Sequence, residues 1–289
     1  MNKFSINWKV KSFIYKFLFF FKAQNFLFFI QKKITKRASI EILEIDNSWK
    51  YHLKNLQSYN SSEVLEFGGG KSLEQNIFLS YQFNNKLNQT VIDEAKMLDI
   101  GLFNEASAQI SKILKTEKKS LIKSIDQIKK FYNINYTAPY SFEKITENKI
   151  LFDSCISTAT LEHFPISDLD KAFKNLKKII KKDGIISATI DYSDHYNHTD
   201  KKIGPLNFLQ YDEKNWKKYN SPYLFQNRLR HNNFRDFFLK MNYKIIEENK
   251  GPSGIPPEII SNEFDANNEE TFVLWGQFLL KNLDLDSVI

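Results

Sequence analysis

Two groups of residues in this sequence have the types and spacing for ligand chemistry. The first is Glu66-Phe67-Gly68-Gly69-Gly70, followed about 25 residues on by Asp93. Val64, Leu65 and Phe67 make a short apolar strand, three glycines end it, and KSLEQNIFLSYQ has helix-forming character. A strand that turns through glycine into a helix lets backbone approach a nucleotide-type ligand and offers it free N–H groups. A phosphate-binding P-loop is excluded, because Leu65 stands where its first glycine is needed before Gly70-Lys71-Ser72. The dinucleotide fingerprint is incomplete: Gly68 and Gly70 fit, but its third glycine position is Leu73.

The second group is the segment IDYSDHYNHTDKKIGPLNFLQY, with Asp191, Asp194, His195, His198 and Asp200. Imidazole titrates near neutrality and suits removal of an acceptor proton. His195 is the expected base, with Asp191 or Asp194 orienting it. Four of these side chains could also ligate a divalent ion, but no ligand spacing supports it, and no metal is expected. Arg228 and Arg230, in a lysine-rich chain, are expected to hold an anionic acceptor by bidentate contacts. Arg235 lies nearby, with Asp236 as a local partner.

The carboxylates decide between nucleotide ligands. Glu66 at a strand end would repel a pyrophosphate and suits a cationic ligand with amino and hydroxyl donors. Asp93, after Thr90-Val91-Ile92, can accept both hydroxyls of a ribose. The pair favours S-adenosylmethionine over a nicotinamide dinucleotide.

The segments VLEFGGG, VIDEA, FDSCISTATLEHF and LKKIIKKDGIISATIDYSDH resemble, in order and spacing, the class I S-adenosylmethionine-dependent methyltransferases over roughly residues 60–250. The resemblance implies cofactor contacts from Glu66, Gly68, Gly69, Gly70 and Asp93, and from Ser157 and Thr158 after the fourth strand. Leu161-Glu162-His163 is similar to a segment common in one large branch. Ala138-Pro139-Tyr140-Ser141 departs from the family where many members place an acid near the adenine, and Ser141 or backbone groups are the candidates there. DYSDH, GPLNFLQY, Trp216 and QNRLR resemble a branch from bacterial surface-polysaccharide pathways, which implies O-methylation of a saccharide or small molecule. An N- or C-methyltransferase on a quinone-like acceptor and a non-catalytic membrane-surface module are the alternatives.

The elements that must position these residues follow from pattern. Alternating strands and helices imply an α/β, Rossmann-like, mostly parallel seven-stranded sheet with helices on both faces. Residues 102–130 read as one helix. In Asp168–Lys181, apolar Leu169, Phe173, Leu176, Ile179 and Ile180 recur at helical spacing. Gly184 is expected to turn the chain into strand 185–190. Tyr243–Glu248 and Thr271–Leu280 read as a final antiparallel pair. Cys155 in the fourth strand is expected to be a buried apolar group.

Composition bounds the rest. The chain has 289 residues, 42% hydrophobic and 26% charged, enough for a sizeable core. A single cysteine excludes an internal disulfide framework and fits a reducing compartment, the cytoplasm. The net charge of +7 is unevenly placed: residues 1–37 hold nine Lys/Arg and no acid, leaving 32 basic and 34 acidic side chains elsewhere. A nearly neutral body argues against a nucleic-acid face.

The expected division is 1–58, a basic Phe-rich helical segment, and 59–289, the methyltransferase domain. Residues 13–30, FIYKFLFFFKAQNFLFFI, are interrupted by Lys16, Lys22, Gln24 and Asn25, so a transmembrane helix is disfavoured. The two readings are a helix at the inner face of an anionic membrane, through residues 1–37, and a lid whose Phe side chains pack on the body.

Overall fold

The computed structural model describes residues 6–30, 39–140, 142–147 and 150–282. Lys3, Lys32, Lys33, Lys36, Arg37 and the adenine candidate Ser141 lie outside the described residues.

Seven strands form one sheet: β1 Glu63–Phe67, β2 Asn88–Ile92, β3 Ile134–Thr137, β4 Phe152–Thr158, β5 Ile180–Asp191, β6 Tyr243–Lys250 and β7 Trp275–Asn282. Their spatial order is β3-β2-β1-β4-β5-β7-β6. β1 to β5 pair in parallel, and β7 runs antiparallel to both β5 and β6. The winding reverses between β1 and β4, which opens a crevice at their carboxyl ends.

The helices are α1 Trp8–Phe20, α2 Gln24–Phe29, α3 Asn47–Ser58, α4 Glu74–Gln82, α5 Ile100–Leu114, α6 Ile125–Tyr132, α7 Phe142–Glu147, α8 Ile166–Ile179, α9 Glu213–Trp216 and α10 His231–Lys240. They cover both faces of the sheet. The side-chain alternation of the strands sorts the core: Leu65, Ile92 and Cys155 pack with α8 and α10, whereas Val64, Val91 and Ile156 pack with α3 to α6. Cys155 is fully buried. In α8 the spaced residues Leu169, Phe173, Leu176 and Ile179 are all buried, and Lys177 and Lys178 in its last turn suit the negative end of the helix.

Three local expectations are corrected. Residues 102–130 form two helices, because Lys115 takes a left-handed φ of 53° and the polar run after it has no apolar stripe to bury. Gly184 lies inside β5 rather than in a turn before it. A Cβ there would meet the Asp153 carbonyl at 2.6 Å, beside the register shift between β4 and β5. Thr271 belongs to a short 3-10 helix, and the last strand starts at Trp275.

Helices from the expected 1–58 segment pack on the remainder of the chain. α3 belongs to the sheet domain: Trp49 and Leu56 are in its core, and His52 is wholly buried against β4 and β5. α1 is docked too. Trp8 sits in an aromatic cluster with Tyr196, Tyr211, Trp216 and Tyr219, its ring centroids 4.7–6.3 Å from theirs. The Trp8 amide donates to Asp200 Oδ2 at 3.0 Å, and Lys11 Nζ donates to Thr199 Oγ1 at 2.6 Å. The opposite face of α1 and α2 stays exposed, with Phe13 at 71% and Phe20 at 79%. No helix among the described residues is long and apolar enough to cross a membrane.

Candidate functional site

The glycine turn follows β1 directly. Gly68 has φ +81° and Gly70 φ +75°, conformations that favour glycine. A Cβ on Gly68 would lie 2.5 Å from Thr160, so glycine lets the turns after β1 and β4 come together at the switch point. A Cβ on Gly70 would meet nothing within 4 Å, so the backbone there faces open space.

A cleft of about 780 Å³ opens at this point. Gly68, Asp93, Ala159, Thr160, His163 and His195 are among the residues that line it. Asp93 is 3% exposed, and neither carboxylate oxygen makes an aligned hydrogen bond, although the Tyr136 hydroxyl and the Gly69 and Gly70 amides stand near it. Burial pushes its pKa up to about 6, opposed by the Tyr136 hydroxyl and the amides of Gly70 and Gly69. A buried carboxylate with two unengaged oxygens, beside a glycine turn, fits a ligand that brings a pair of hydroxyl donors.

Glu66 is placed differently from the expectation. Its oxygens accept from Gln75 Nε2 at 3.1 Å and Asn76 Nδ2 at 2.6 Å, so it ties the end of β1 to the start of α4 behind the glycines. Burial raises it to about 7 against those two amides, and nearby Asp93 raises it further. Ser157 and Thr158 also turn away from the cleft. Ser157 is fully buried, and Thr158 belongs to a polar chain through the sheet. Thr158 Oγ1 donates to Gln75 Oε1 at 2.6 Å, which leaves His52 Nε2 as the donor to Thr158 at 3.0 Å. His52 Nδ1 then accepts from Ser187 at 2.8 Å. Burial drives His52 down to about 3, so it is a neutral structural link. Directly after β4 it is Ala159 and Thr160 that line the cleft, two residues further along the chain than the pair the resemblance implied.

Also in the cleft, His195 Nε2 stands 3.3 Å from Asp191 Oδ2 without an aligned hydrogen bond. Asp191 Oδ1 is fixed by the Ser193 amide at 2.8 Å. Burial opposes ionisation of Asp191, but His195 and Ser193 hold its pKa below the usual carboxylate value. Asp194 is not an orienter. Fully buried, it accepts from the Tyr196 amide and Asn207 Nδ2, both at 2.8 Å, and clamps the loop on itself. His163 meets His195 edge to face at 4.8 Å. Beside them Glu162 is 3% exposed, with no partner for either oxygen, and burial pushes its pKa well up. Glu162 is a functional candidate with no role assigned from sequence, and His163, placed by sequence after the fourth strand near the expected cofactor, joins it; the signal for both was their place directly after that strand.

The arginines are structural. Arg230, 2% exposed, donates to the carbonyls of Thr271, Tyr192 and Val273 at 2.6–2.7 Å. Arg228, also buried, donates to the Phe208 and Tyr211 carbonyls and to Glu213 and Glu263. Arg235 pairs with Glu248 and Glu270 rather than Asp236. None faces the cleft, so the anionic-acceptor reading loses its residues. Arg230→Met leaves three buried carbonyls without donors and is expected to cost more than about 3 kcal/mol at about 1–3 kcal/mol for each. The urea unfolding midpoint measures this; an unchanged midpoint would return Arg230 to the ligand candidates.

A doubly wound seven-stranded sheet, with a glycine turn at its switch point and a closing antiparallel strand, is a Rossmann-like fold. No family model matches the chain, and no curated protein sequence matches it. Among solved structures it is similar to TehB from Haemophilus influenzae, with TM-score 0.45 and 13% identity over 88% of this chain and 66% of that one. It is similar to an S-adenosylmethionine-dependent methyltransferase from Clostridium acetobutylicum, with TM-score 0.40 and 11% identity over 90% and 98% of the two chains. A third similar structure is the Burkholderia thailandensis 1,6-didemethyltoxoflavin-N1-methyltransferase, bound to its substrate and S-adenosylhomocysteine, with TM-score 0.46 and 8% identity over 90% and 86%.

Proposed function

We propose that this chain is an S-adenosylmethionine-dependent methyltransferase acting on an acceptor oxygen of a saccharide or small molecule. One observation carries the reading: the buried Asp93 carboxylate, both oxygens unengaged, opens onto the switch-point cleft beside Gly68 and Gly70. When bound, S-adenosylmethionine supplies an electrophilic methyl on a sulfonium. The chain's own residues do the rest. Asp93 accepts from the ribose hydroxyls, the glycine turn admits the ligand backbone-close, and Glu66 keeps that turn in place through Gln75 and Asn76. Proton removal from the acceptor depends on His195, with Asp191 beside it. Calorimetric titration with S-adenosylmethionine, and separately with a nicotinamide dinucleotide, tests the reading. Micromolar binding of the first alone is expected; binding of the second alone, or of neither, would overturn it.

Part of the cleft wall, His195 and residues 222–225, comes from the chain after β5, whose sequence resembles the surface-polysaccharide branch. With Arg228 and Arg230 buried, an uncharged hydroxyl acceptor is the better fit, and its place in that branch is part of the proposal.

We also propose that this site works at an anionic membrane surface on the cytoplasmic side. α1 packs Phe19 edge-on against Tyr223 of the cleft wall at 5.3 Å, and Phe28 of α2 lies under Lys71 of the glycine turn at 4.1 Å. The segment therefore roofs the site while its other face stays apolar and exposed, flanked by lysines. The triple variant Phe13→Ser, Phe17→Ser, Phe20→Ser changes only exposed side chains. It is expected to lose at least about tenfold in binding to phosphatidylglycerol vesicles, since each buried Phe contributes about 1.5–3 kcal/mol. Sedimentation measures it, and equal binding by the variant, or equal binding to phosphatidylcholine, removes the membrane reading.

A further inference from the structure

We propose that Glu162, His163 and His195 form a binding site for one divalent first-row transition-metal ion at the cleft. One donor atom from each lies within 4.8 Å of the others. Donors held by one tetrahedral ion at about 2.0–2.2 Å lie about 3.3–3.6 Å apart, so binding draws the three side chains inward by roughly 1 Å.

The polar groups here are left in the state a cation would complete. Glu162 is 3% exposed, and neither carboxylate oxygen has a partner. Such a group is costly in a folded protein unless a ligand engages it. His163 Nδ1 lies 2.6 Å from the Phe225 carbonyl, which can only accept, so Nδ1 carries the proton and Nε2 keeps its lone pair. A backbone acceptor on the far nitrogen is the usual device that fixes a metal-binding imidazole. His195 Nε2 is buried without a hydrogen bond, although Asp191 Oδ2 is only 3.3 Å away. That separation is what two ligands of one ion adopt at bonds of about 2.0–2.1 Å. Asp191, held by the Ser193 amide, is thus a fourth side chain within reach.

A second His–Glu–Glu group shows the contrast. His231, Glu248 and Glu270 also cluster, but His231 Nε2 is 2.7 Å from Glu248 Oε1, and the Arg235 guanidinium bonds both carboxylates. The cation's place there is already taken by Arg235. Nor does the site use the four-residue loop set suggested by sequence, since Asp194 is clamped by Asn207 and His198 is exposed. Two imidazoles with a carboxylate suit Zn²⁺, Co²⁺, Fe²⁺ or Mn²⁺ better than Mg²⁺ or Ca²⁺.

Metal binding stands without the methyltransferase reading. Its use rests on that reading: the ion would act as a Lewis acid that lowers the pKa of the acceptor hydroxyl, whose proton leaves to solvent water, and His195 would serve as a ligand rather than as a free base.

The test is titration of the tag-free, chelator-stripped full chain with Co²⁺, followed by its visible ligand-field bands and by displacement with Zn²⁺. One equivalent with strong bands is expected. Glu162→Gln and His195→Gln should each weaken binding more than about 100-fold, the upper end of the loss seen for outer-shell changes alone. Glu270→Gln, in the Arg235-filled cluster, should leave it within twofold. Circular dichroism checks that each variant is folded, and the more accessible His195→Gln decides if Glu162→Gln is not. No stoichiometric Co²⁺ or Zn²⁺ binding, or binding lost in Glu270→Gln and kept in His195→Gln, overturns the site. S-adenosylmethionine titrated into stripped and loaded protein reads the other proposal separately, because Asp93 does not touch the ion.

Discussion

Asp93→Ala is expected to bind S-adenosylmethionine at least about 100-fold more weakly than the unchanged chain. Two hydrogen bonds to a charged acceptor contribute about 1.5–3 kcal/mol each, and about 1.4 kcal/mol is a factor of ten. Neither Asp93 oxygen makes an aligned hydrogen bond in the free protein, so the variant is expected to keep the fold, and circular dichroism checks that loss of the nearby Tyr136, Gly69 and Gly70 donors' acceptor does not disturb it. The same carboxylate sets a pH dependence with a definite sign. Burial places its pKa at about 6, and the ionised form is the acceptor of the ribose hydroxyls. Affinity should therefore be flat above that value and fall about tenfold per pH unit well below it, as the ionised fraction does. Asp93→Asn keeps one acceptor oxygen and cannot titrate, so it should bind weakly with this slope removed. Calorimetry at pH 8 and pH 5 measures both effects. Unchanged affinity in Asp93→Ala would take the residue out of the site and with it the main support for the cofactor.

His195→Ala is expected to lower kcat by about 10²- to 10⁴-fold on any hydroxyl acceptor that turns over, the usual contribution of a group that manages a proton in the transition state. S-adenosylmethionine affinity should change less than twofold, because on this reading the ribose is held by Asp93 and the glycine turn rather than by His195. Release of S-adenosylhomocysteine gives the rate. The neighbours then say how His195 works. If it acts as a free base, His163→Ala should be mild, since His163 only meets it edge-on. If it acts through a metal ion, His163→Ala and Glu162→Gln should fall as far as His195→Ala, and added Zn²⁺ or Co²⁺ should raise the rate of the stripped enzyme. A fully active His195→Ala would move proton removal elsewhere. It would fit transfer to a nitrogen or carbon of the acceptor, the alternative weighed from sequence.

Most of the sheet was legible because its signals are local. Short apolar runs ended by glycine or by an acid mark β1, β2 and β4, and the 3.6-residue spacing of Leu169, Phe173 and Leu176 marks α8. The break inside residues 102–130 was missed, since a polar run without glycine or proline has helical propensity and ends only where it has nothing to pack on. Gly184 was misread for a related reason. A glycine before a strand suggests a turn, and only the approach of the Asp153 carbonyl explains why it lies within one.

By itself the sequence determined the order of strands and helices, the glycine turn, and the acid at the end of β2, because each depends on residues close together in the chain. It also determined the uneven charge, which is a count. Tertiary structure decided which polar residues are free to meet a ligand. Arg228, Arg230, Asp194, Glu66 and Thr158 have the residue types of binding groups, and each is held by an internal partner nine or more residues away. Glu162, His163 and His195 converge from separate segments onto one point. Residue type sets what a side chain can bind, but burial and the donors or acceptors that folding brings beside it set whether any of that capacity is left over.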